Sequence, residues 1–464
     1  MSLRLADLWR WEGTINRGPY LLIGLAGFAV KHNLDRFLAS WVFGRPWGLF
    51  NYWIPLDRAA QLTELKPDEA LFLATMVLLA LPFIYIGVAL TVRRLRAIGL
   101  PLWLAALFFA PVVNLFFFLL LSVLPSKTAL TETVSGGGRG ARFLDRLIPT
   151  SVAGSAAVSL LLTLLFGLLV VLLGTEFLDQ YGWGLFVGLP FAQGLVSVLL
   201  YARHERRGWG SCLLVSFLSV LFTALALLAL AIEGVICILM AAPLAVILAA
   251  LGATLGYFIQ KHALRLSTNP AAMLLVALGV PGVMGLEALE PAPVPLFEVS
   301  TAVEVDAPPE AVWAHVVAFT EIPEPDDWLF QLGIAYPVRA EIHGQGVGAV
   351  RYCRFSTGSF IEPIEIWDAP RQLKFGVVSN PAPMQEWTLY NGVHPAHLDN
   401  FLVSRGGRFL LTPLADGRTR LEGTTWYHHH MWPAAYWQLW SDAIIHRIHR
   451  RVLRHVKQQA EASR

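Results

Sequence analysis

Long windows without a charged side chain recur along the first 290 residues, and they constrain the fold more than any other feature of this sequence. Seven such windows reach or approach the roughly 20 residues that an α-helix needs to cross about 30 Å of hydrocarbon. They are residues 71–92, 101–125, 147–175, 180–202, 208–232, 234–260 and 266–286. The sequence therefore predicts a multi-pass α-helical membrane bundle with seven or eight embedded segments.

The composition of the whole chain agrees with this prediction. Only 15% of its 464 residues are charged, whereas soluble domains average about 25%. Three cysteines and a net charge of +2 exclude a secreted disulfide scaffold and a nucleic-acid binder. Arginines interrupt residues 1–20, so we expect no cleavable signal peptide there.

The eighth candidate segment, residues 20–43, carries four ionisable side chains near its middle: Lys31, His32, Asp35 and Arg36. A central Lys, Arg or Asp costs about 2.5–3.5 kcal/mol on insertion scales. That cost falls if Lys31 pairs with Asp35 one turn later on the helix. These residues are a candidate membrane-charge site, and the sequence leaves open an ion or proton path and a structural ion pair.

Basic residues in the loops predict the orientation of the bundle. Residues 101–125 break at Ala110-Pro111, so this window is able to enter the membrane and return on the same side. With that arrangement, the loops hold fifteen Lys and Arg residues inside and three outside. The positive-inside rule then leaves the chain after residue 290 outside the cytoplasm.

Two motifs near the first segments carry a family resemblance. They are residues 13–20 (GTINRGPY) and residues 93–99 (RRLRAIG) with Trp103. Over residues 8–128 the chain resembles the bacterial inner-membrane family DUF805, a domain of unknown function. That family usually has His-Asp where this chain has Arg96-Ala97. The resemblance implies a bacterial inner membrane and no particular chemistry.

A proline-rich linker at residues 291–296 separates the bundle from a region of different periodicity. We expect four parts: membrane regions 1–130 and 131–290, the linker, and a domain at 297–464. Alternating apolar residues predict strands at 297–305, 335–342, 349–356, 360–367, 373–379, 401–412 and 419–427. Helices are predicted at 310–319 and 433–459, and the glycines of 344–348 predict a hairpin turn.

Three motifs of this last region are similar to the START/polyketide-cyclase (SRPBCC) superfamily. They are residues 303–313 (VEVDAPPEAVW), 346–351 (GVGAVR) and 417–423 (GRTRLEG). The resemblance implies an α+β helix-grip domain, in which an antiparallel sheet wraps around a long C-terminal helix. It also implies a cavity for a lipid or other apolar molecule, on which some members catalyse reactions.

Aromatic density in the last region indicates an apolar ligand site. Glu362 joins the candidates because it lies in an apolar run, where it needs Arg351 or Arg354 as a partner or a raised pKa. The candidate ligand-binding residues are Trp328, Tyr352, Phe355, Phe360, Glu362, Trp367, Trp387, Tyr390, Trp426, Tyr436 and Trp440.

Two other kinds of site receive less support. His394 and His397 lie in a predicted insertion at 381–400 and, with the histidines of 428–430, form only a weak zinc pattern with no cysteine near. We therefore expect no metal and no cofactor. Cys353 has strand spacing, which favours packing over reactivity. The insertion itself has the length of a lid or a membrane-docking flap.

The sequence thus predicts a multi-pass protein of the bacterial inner membrane whose START-like domain binds an apolar small molecule or lipid at the membrane surface. Nucleic acid is not an expected partner, and the oligomeric state stays open. Two alternatives remain. One is a membrane-bound enzyme of the polyketide-cyclase type with Glu362, His397 or Tyr427 as acid–base groups. The other is a transporter or channel that uses Lys31, His32 and Asp35, with the START-like domain as its sensor.

Overall fold

The computed structural model describes residues 8–52, 67–109, 113–123, 126, 139–262, 270–290, 294–387, 395, 398 and 401–462. The chain forms two compact units. The first, called the membrane unit here, is Met1–Ala226 with Ala241–Ala292. The second, the C-terminal unit, is Leu227–Met240 with Pro293–Arg464. Each predicted membrane window falls on helix in the described residues.

The helices before residue 290 follow the predicted windows, except α4, which lies between two of them. They are α1 (Arg17–Phe37), α2 (Pro67–Ile98), α3 (Val113–Val123), α4 (Arg139–Leu147), α5 (Val152–Leu172), α6 (Leu189–Tyr201), α7 (Trp209–Ala229), α8 (Val235–His262) and α9 (Pro270–Leu289). Window 101–125 is divided into a 3₁₀ helix, Leu102–Phe109, and α3, at the predicted break. The break itself, residues 110–112, lies outside the described residues.

Five described helices are long and apolar enough to cross a membrane, by length and composition. They are Pro67–Ile98, Val152–Phe177, Gly184–Tyr201, Trp209–Ala229 and Val235–Lys261. Met273–Leu289 is a shorter apolar helix. Inside the membrane unit, the Gln193 amide donates to the Thr163 carbonyl (3.2 Å) and to the Thr223 hydroxyl (2.8 Å). Such interhelical hydrogen bonds hold helices together in lipid. The chain is a membrane protein.

Glycines allow α6 and α8 to pack backbone against backbone. A Cβ atom on Gly252 would overlap the carbonyl oxygen of Phe191, and one on Gly194 would overlap that of Ala249. Small residues at helix crossings permit this approach in membranes.

Gly252→Ala is therefore expected to lower the free energy of unfolding of the bundle by about 1–3 kcal/mol, the usual cost of overpacking. The control is Gly285→Ala on α9, where an added Cβ meets nothing within 4 Å. That control should be neutral or should stabilise by about 0.5–1 kcal/mol, because alanine suits a helix interior better than glycine. Thermal unfolding in detergent measures both, and equal midpoints would contradict the packing account.

The C-terminal unit contains one seven-stranded antiparallel sheet in the order β1-β7-β6-β5-β4-β3-β2. Its strands are β1 (Phe297–Val305), β2 (Pro337–His343), β3 (Val350–Phe355), β4 (Gly358–Asp368), β5 (Gln372–Gly376), β6 (Leu402–Pro413) and β7 (Thr419–His429). The helices are α10 (Pro309–Val317), α11 (Trp328–Gln331) and α12 (Ala434–Ala462).

The sheet curls around α12. Strands β1 and β2 are the two edges of the sheet, yet α12 packs against both. The helix buries a stripe of apolar residues at three- and four-residue spacing, including Trp437, Ile444 and Val452, so the sheet and the helix share one core. The predicted helix-grip fold is confirmed. The predicted hairpin turn is also confirmed: Gly344, which lies between β2 and β3, has a φ of +92°, which favours glycine.

Candidate ligand-binding site

A cavity of about 120 Å³ lies between the curled sheet and α12. Its walls are mostly apolar, because the inward residues of the strands face the apolar stripe of the helix. The apolar lining is Phe355, Phe360, Phe375, Val377, Phe409, Ile445, Ile448, Val452 and Leu453. The polar side chains of the lining are Arg351, Cys353, Glu362, Ser404, Arg408, Thr424, Thr425 and His449. A few polar groups in an apolar cleft are the usual form of a small-molecule site.

Arg351 and Glu362 form a buried ion pair at this cavity. The two residues are opposite each other in the β3–β4 ladder, so the register of the hairpin sets the pair. Arg351 is 2% exposed and Glu362 is 5% exposed. The guanidinium also lies 5.4 Å from the ring centre of Phe375. Burial raises the pKa of Glu362, and the positive charge of Arg351 opposes that shift.

His449 lies between two hydroxyls on the cavity wall. Its Nδ1 is 3.1 Å from the Thr301 hydroxyl, and its Nε2 is 2.7 Å from the Thr425 hydroxyl. Burial lowers the pKa of His449 to about 4, and neighbouring His446 adds to the shift. The imidazole is therefore neutral near pH 7, with one nitrogen as donor and the other as acceptor.

Sequence reasoning missed His449, although a signal for it was present. His449 follows Ile445 by four residues and precedes Leu453 by four, which places it on the inner stripe of α12. Arginines at 447, 450, 451 and 454 lie around it in the sequence and favour a basic outer face instead, which hides this signal. Thr425 was also missed, because an alternating strand pattern gives no preference between Thr425 and its neighbour Trp426.

The structure brings together three of the predicted ligand-binding residues, Phe355, Phe360 and Glu362, which all line the cavity. Tyr352 instead lines a surface groove together with Arg339 and Arg354, because neighbours along a strand face opposite sides. Cys353 points into the cavity, where burial raises the pKa of its thiol to about 12.

The other predicted residues lie away from the cavity lining. Trp367 packs edge-to-face on Trp313, with ring centres 5.8 Å apart. The indole nitrogen of Trp426 donates to Glu298 (2.9 Å). Trp328 and Trp387 are exposed, and Trp440 is half-buried. The Tyr436 hydroxyl donates to the Met240 carbonyl. Tyr390 lies outside the described residues.

The candidate acid–base groups have firm partners where the structure describes them. The Tyr427 hydroxyl donates to the Asp442 carboxylate (2.6 Å), and burial raises the pKa of Tyr427. Glu362 is held by Arg351. His397 lies outside the described residues.

For metals, the described residues contain no group of three or more His, Cys, Asp or Glu side chains able to hold an ion. Two members of the weak zinc pattern, His394 and His397, lie outside that part of the chain.

Three of the four membrane charges form one cluster in the membrane unit. Lys31 pairs with Asp35, which is fully buried. The Tyr52 hydroxyl donates to Asp35 (2.7 Å) and is 3.2 Å from Nδ1 of His32. Arg36 is exposed. The predicted pair between Lys31 and Asp35 is therefore present, and it lowers the free-energy cost of inserting these charges into the membrane.

Residues 8–131 match the family model described as "Protein of unknown function (DUF805)". This match confirms the resemblance predicted for residues 8–128. It covers about a quarter of the chain and so does not assign the whole chain to that family. No curated protein matches the chain.

Several solved structures are similar to about a third of the chain. A norcoclaurine synthase from Thalictrum flavum, in complex with a transition-state analogue, is 12% identical with a TM-score of 0.25; the match covers 37% of this chain and 98% of that one. An aromatase/cyclase from a Streptomyces species is 16% identical with a TM-score of 0.25, over 36% and 94% of the two chains. A protein from Nitrosospira multiformis is 19% identical with a TM-score of 0.24, over 36% and 100%. At these values the likeness adds nothing to the fold that the strand order and α12 establish.

Proposed function

We propose that the C-terminal unit binds a small apolar molecule in the cavity between its sheet and α12. The observation that supports this most is the lining: aromatic and aliphatic walls around a buried Arg351–Glu362 pair and a neutral His449. Apolar walls supply most of the binding free energy, and the few polar groups orient the guest.

The size of the cavity narrows the class of ligand. Its volume is about 120 Å³, and an engineered apolar cavity of about 150 Å³ holds one benzene molecule. The site therefore suits a single ring, or the ring-sized end of a longer apolar molecule. A whole phospholipid or sterol does not fit in this volume.

p-Cresol is a suitable probe because it has one ring and one hydroxyl group. Full-length protein in detergent is expected to bind it, and Gly423→Val is expected to weaken binding at least tenfold. Gly423 lines the cavity, so the added methyl groups occupy the space that the ring needs. Ligand-observed NMR measures the binding.

Thr412→Val is the control for this experiment, because Thr412 is an exposed residue of β6. It should bind p-cresol like the unaltered chain. Equal binding by Gly423→Val and by the unaltered chain would place the probe elsewhere, in the detergent or on the membrane helices, and would contradict the proposed site.

Binding has better support than catalysis. Of the three acid–base candidates, Glu362 is neutralised by Arg351 and Tyr427 is bonded to Asp442. His449, which also lines the cavity, has the chemistry of a base, but its low pKa makes it a weak one at pH 7. For the cluster of Lys31, Asp35 and Tyr52 we propose a structural role, because its charges already neutralise each other.

We also propose that the C-terminal unit lies outside the cytoplasm of a bacterial inner membrane. The distribution of Lys and Arg in the loops supports this side. A C-terminal fusion to alkaline phosphatase should then be active in bacteria, and a C-terminal green fluorescent protein should stay dark. An inactive phosphatase together with a bright fluorescent fusion would reverse the orientation.

A further inference from the structure

Helix α8 is longer than a membrane crossing requires. Its apolar stretch, Val235–Lys261, has 27 residues, or about 40 Å at 1.5 Å per residue. The hydrocarbon layer takes only about 20 residues. The polar sequence Gln260-Lys261-His262 marks one end of the helix. Twenty residues counted back from Gln260 end at Ala241, so an upright crossing of that length leaves residues 235–240 to extend beyond the hydrocarbon at the other end.

Those six residues belong to the C-terminal unit, and polar contacts hold them there. The Glu386 carboxylate accepts from the backbone N–H groups of Ile236 (3.1 Å) and Cys237 (3.2 Å). The Trp387 carbonyl accepts from the N–H of Val235 (3.1 Å). Free N–H groups at a helix start attract a carboxylate in this way. Residues 386–387 thus lie level with the first turn of α8.

The start of α12 and the helix α11 lie beside the same six residues. The Tyr436 hydroxyl donates to the carbonyl of Met240. The Ile236 side chain packs in one apolar cluster with Leu329 and Ile444. Contacts from three parts of the C-terminal unit therefore hold these six residues, which supports their lying outside the hydrocarbon.

Large apolar side chains next to these contacts remain exposed. Trp387 is 64% exposed, and Leu439, one turn after Tyr436, is 70% exposed. Trp328, which precedes Leu329, is 58% exposed. Tryptophan is enriched at the headgroup level of membranes, where its ring and its N–H group are both accommodated.

We propose that Trp387, Leu439 and Trp328 form a surface that inserts into the lipid headgroup layer around the start of α8. The partner is the lipid bilayer itself. This surface holds the C-terminal unit against the membrane independently of any guest in the cavity. The inference requires α8 to cross the membrane and does not require the ligand proposal.

Photocrosslinking in lipid nanodiscs tests the surface. p-Benzoylphenylalanine is placed at residue 387 or 439 of the full chain, in nanodiscs of phosphatidylethanolamine and phosphatidylglycerol. The control position is Val347, which is 71% exposed in the turn between β2 and β3. All three positions are exposed, so the unnatural residue leaves the core intact, and unchanged elution on size exclusion verifies folding.

Mass spectrometry of the products is expected to show lipid adducts at 387 and 439 at least tenfold above those at 347. Adduct levels equal to those at 347 would overturn the proposal. Crosslinks from 387 and 439 to a second copy of the chain, in place of lipid, would overturn it as well and would identify a protein interface. Binding of p-cresol should be unchanged in all three variants, which separates this test from that of the cavity.

Discussion

Arg351→Met is expected to lower the free energy of unfolding of the C-terminal unit by about 3–5 kcal/mol. The substitution keeps much of the side-chain volume but leaves the Glu362 carboxylate of β4 without its partner, buried at the cavity between the sheet and α12. Removing one partner of a buried ion pair has a cost of this size, because a charge is left uncompensated in a medium of low polarity. Glu362 is 5% exposed, so bulk water has little access to its carboxylate. Pulse proteolysis of the full chain in urea, in detergent, measures the loss.

Two controls make the origin of this loss clear. Arg351→Met combined with Glu362→Leu removes both charges and should recover most of the stability. Arg339→Met breaks an exposed pair with Glu341 (3.1 Å) on the neighbouring strand β2 and should have an effect below about 1 kcal/mol. If Arg351→Met is as mild as Arg339→Met, the pair is hydrated in solution and the description of the cavity is wrong.

Lowering the pH from about 7 to about 5 is expected to destabilise the C-terminal unit by about 2 kcal/mol for each of two histidines. Burial lowers the pKa of His429 and of His449 to about 4. In the unfolded chain both take up a proton near pH 6.5, while the folded chain keeps them neutral. Their contribution is therefore complete above pH 6.5 and is lost as the pH falls towards 4.

The double variant His429→Phe, His449→Gln should lose most of this pH dependence. Phenylalanine preserves the stacking of residue 429 on Phe297, where the ring centres are 5.1 Å apart, and glutamine is able to bond to Thr301 and Thr425. His343→Gln is the control, since His343 is exposed. Urea midpoints at about pH 7 and pH 5 give the slopes. A double variant with the slope of the unaltered chain would show that other groups cause the pH dependence.

The helix-grip fold was predictable because its signals are local. Alternating apolar and polar residues identify the strands, and a stripe of apolar residues at three- and four-residue spacing identifies α12. The predicted strands differ from those observed by a few residues at their ends, as in 335–342 against Pro337–His343. The signal for the membrane helices is also local, because one continuous stretch of about 20 residues without charge is enough to identify a helix that crosses the membrane.

The residues that line the cavity were less predictable, because they depend on the register in which the strands pair. The sequence offered Arg351 and Arg354 as partners of Glu362, and only the β3–β4 pairing places Arg351 opposite it. Trp426 was chosen over Thr425, yet Thr425 lies against His449. A shift of one residue in register exchanges the two faces of a strand. Composition therefore shows that the domain is rich in aromatic residues, but it does not show which of them line the cavity.

The contacts of residues 227–240 had no signal in the sequence. Glu386 is separated by 150 residues from Ile236, whose N–H group it accepts from. Helix starts and carboxylates are common throughout the chain, so their pairing follows from the packed fold and not from a motif. This contact shows that a piece of the membrane region belongs to the C-terminal unit.

Native mass spectrometry of the full chain, purified in mild detergent from its expression host, tests the central claim most directly. The account predicts that one discrete apolar molecule with a ring-sized end group co-purifies with the unaltered chain and with Thr412→Val, and that Gly423→Val loses it. If Gly423→Val retains the same molecules in the same amounts as the unaltered chain, the cavity is not a binding site and the proposed function is contradicted.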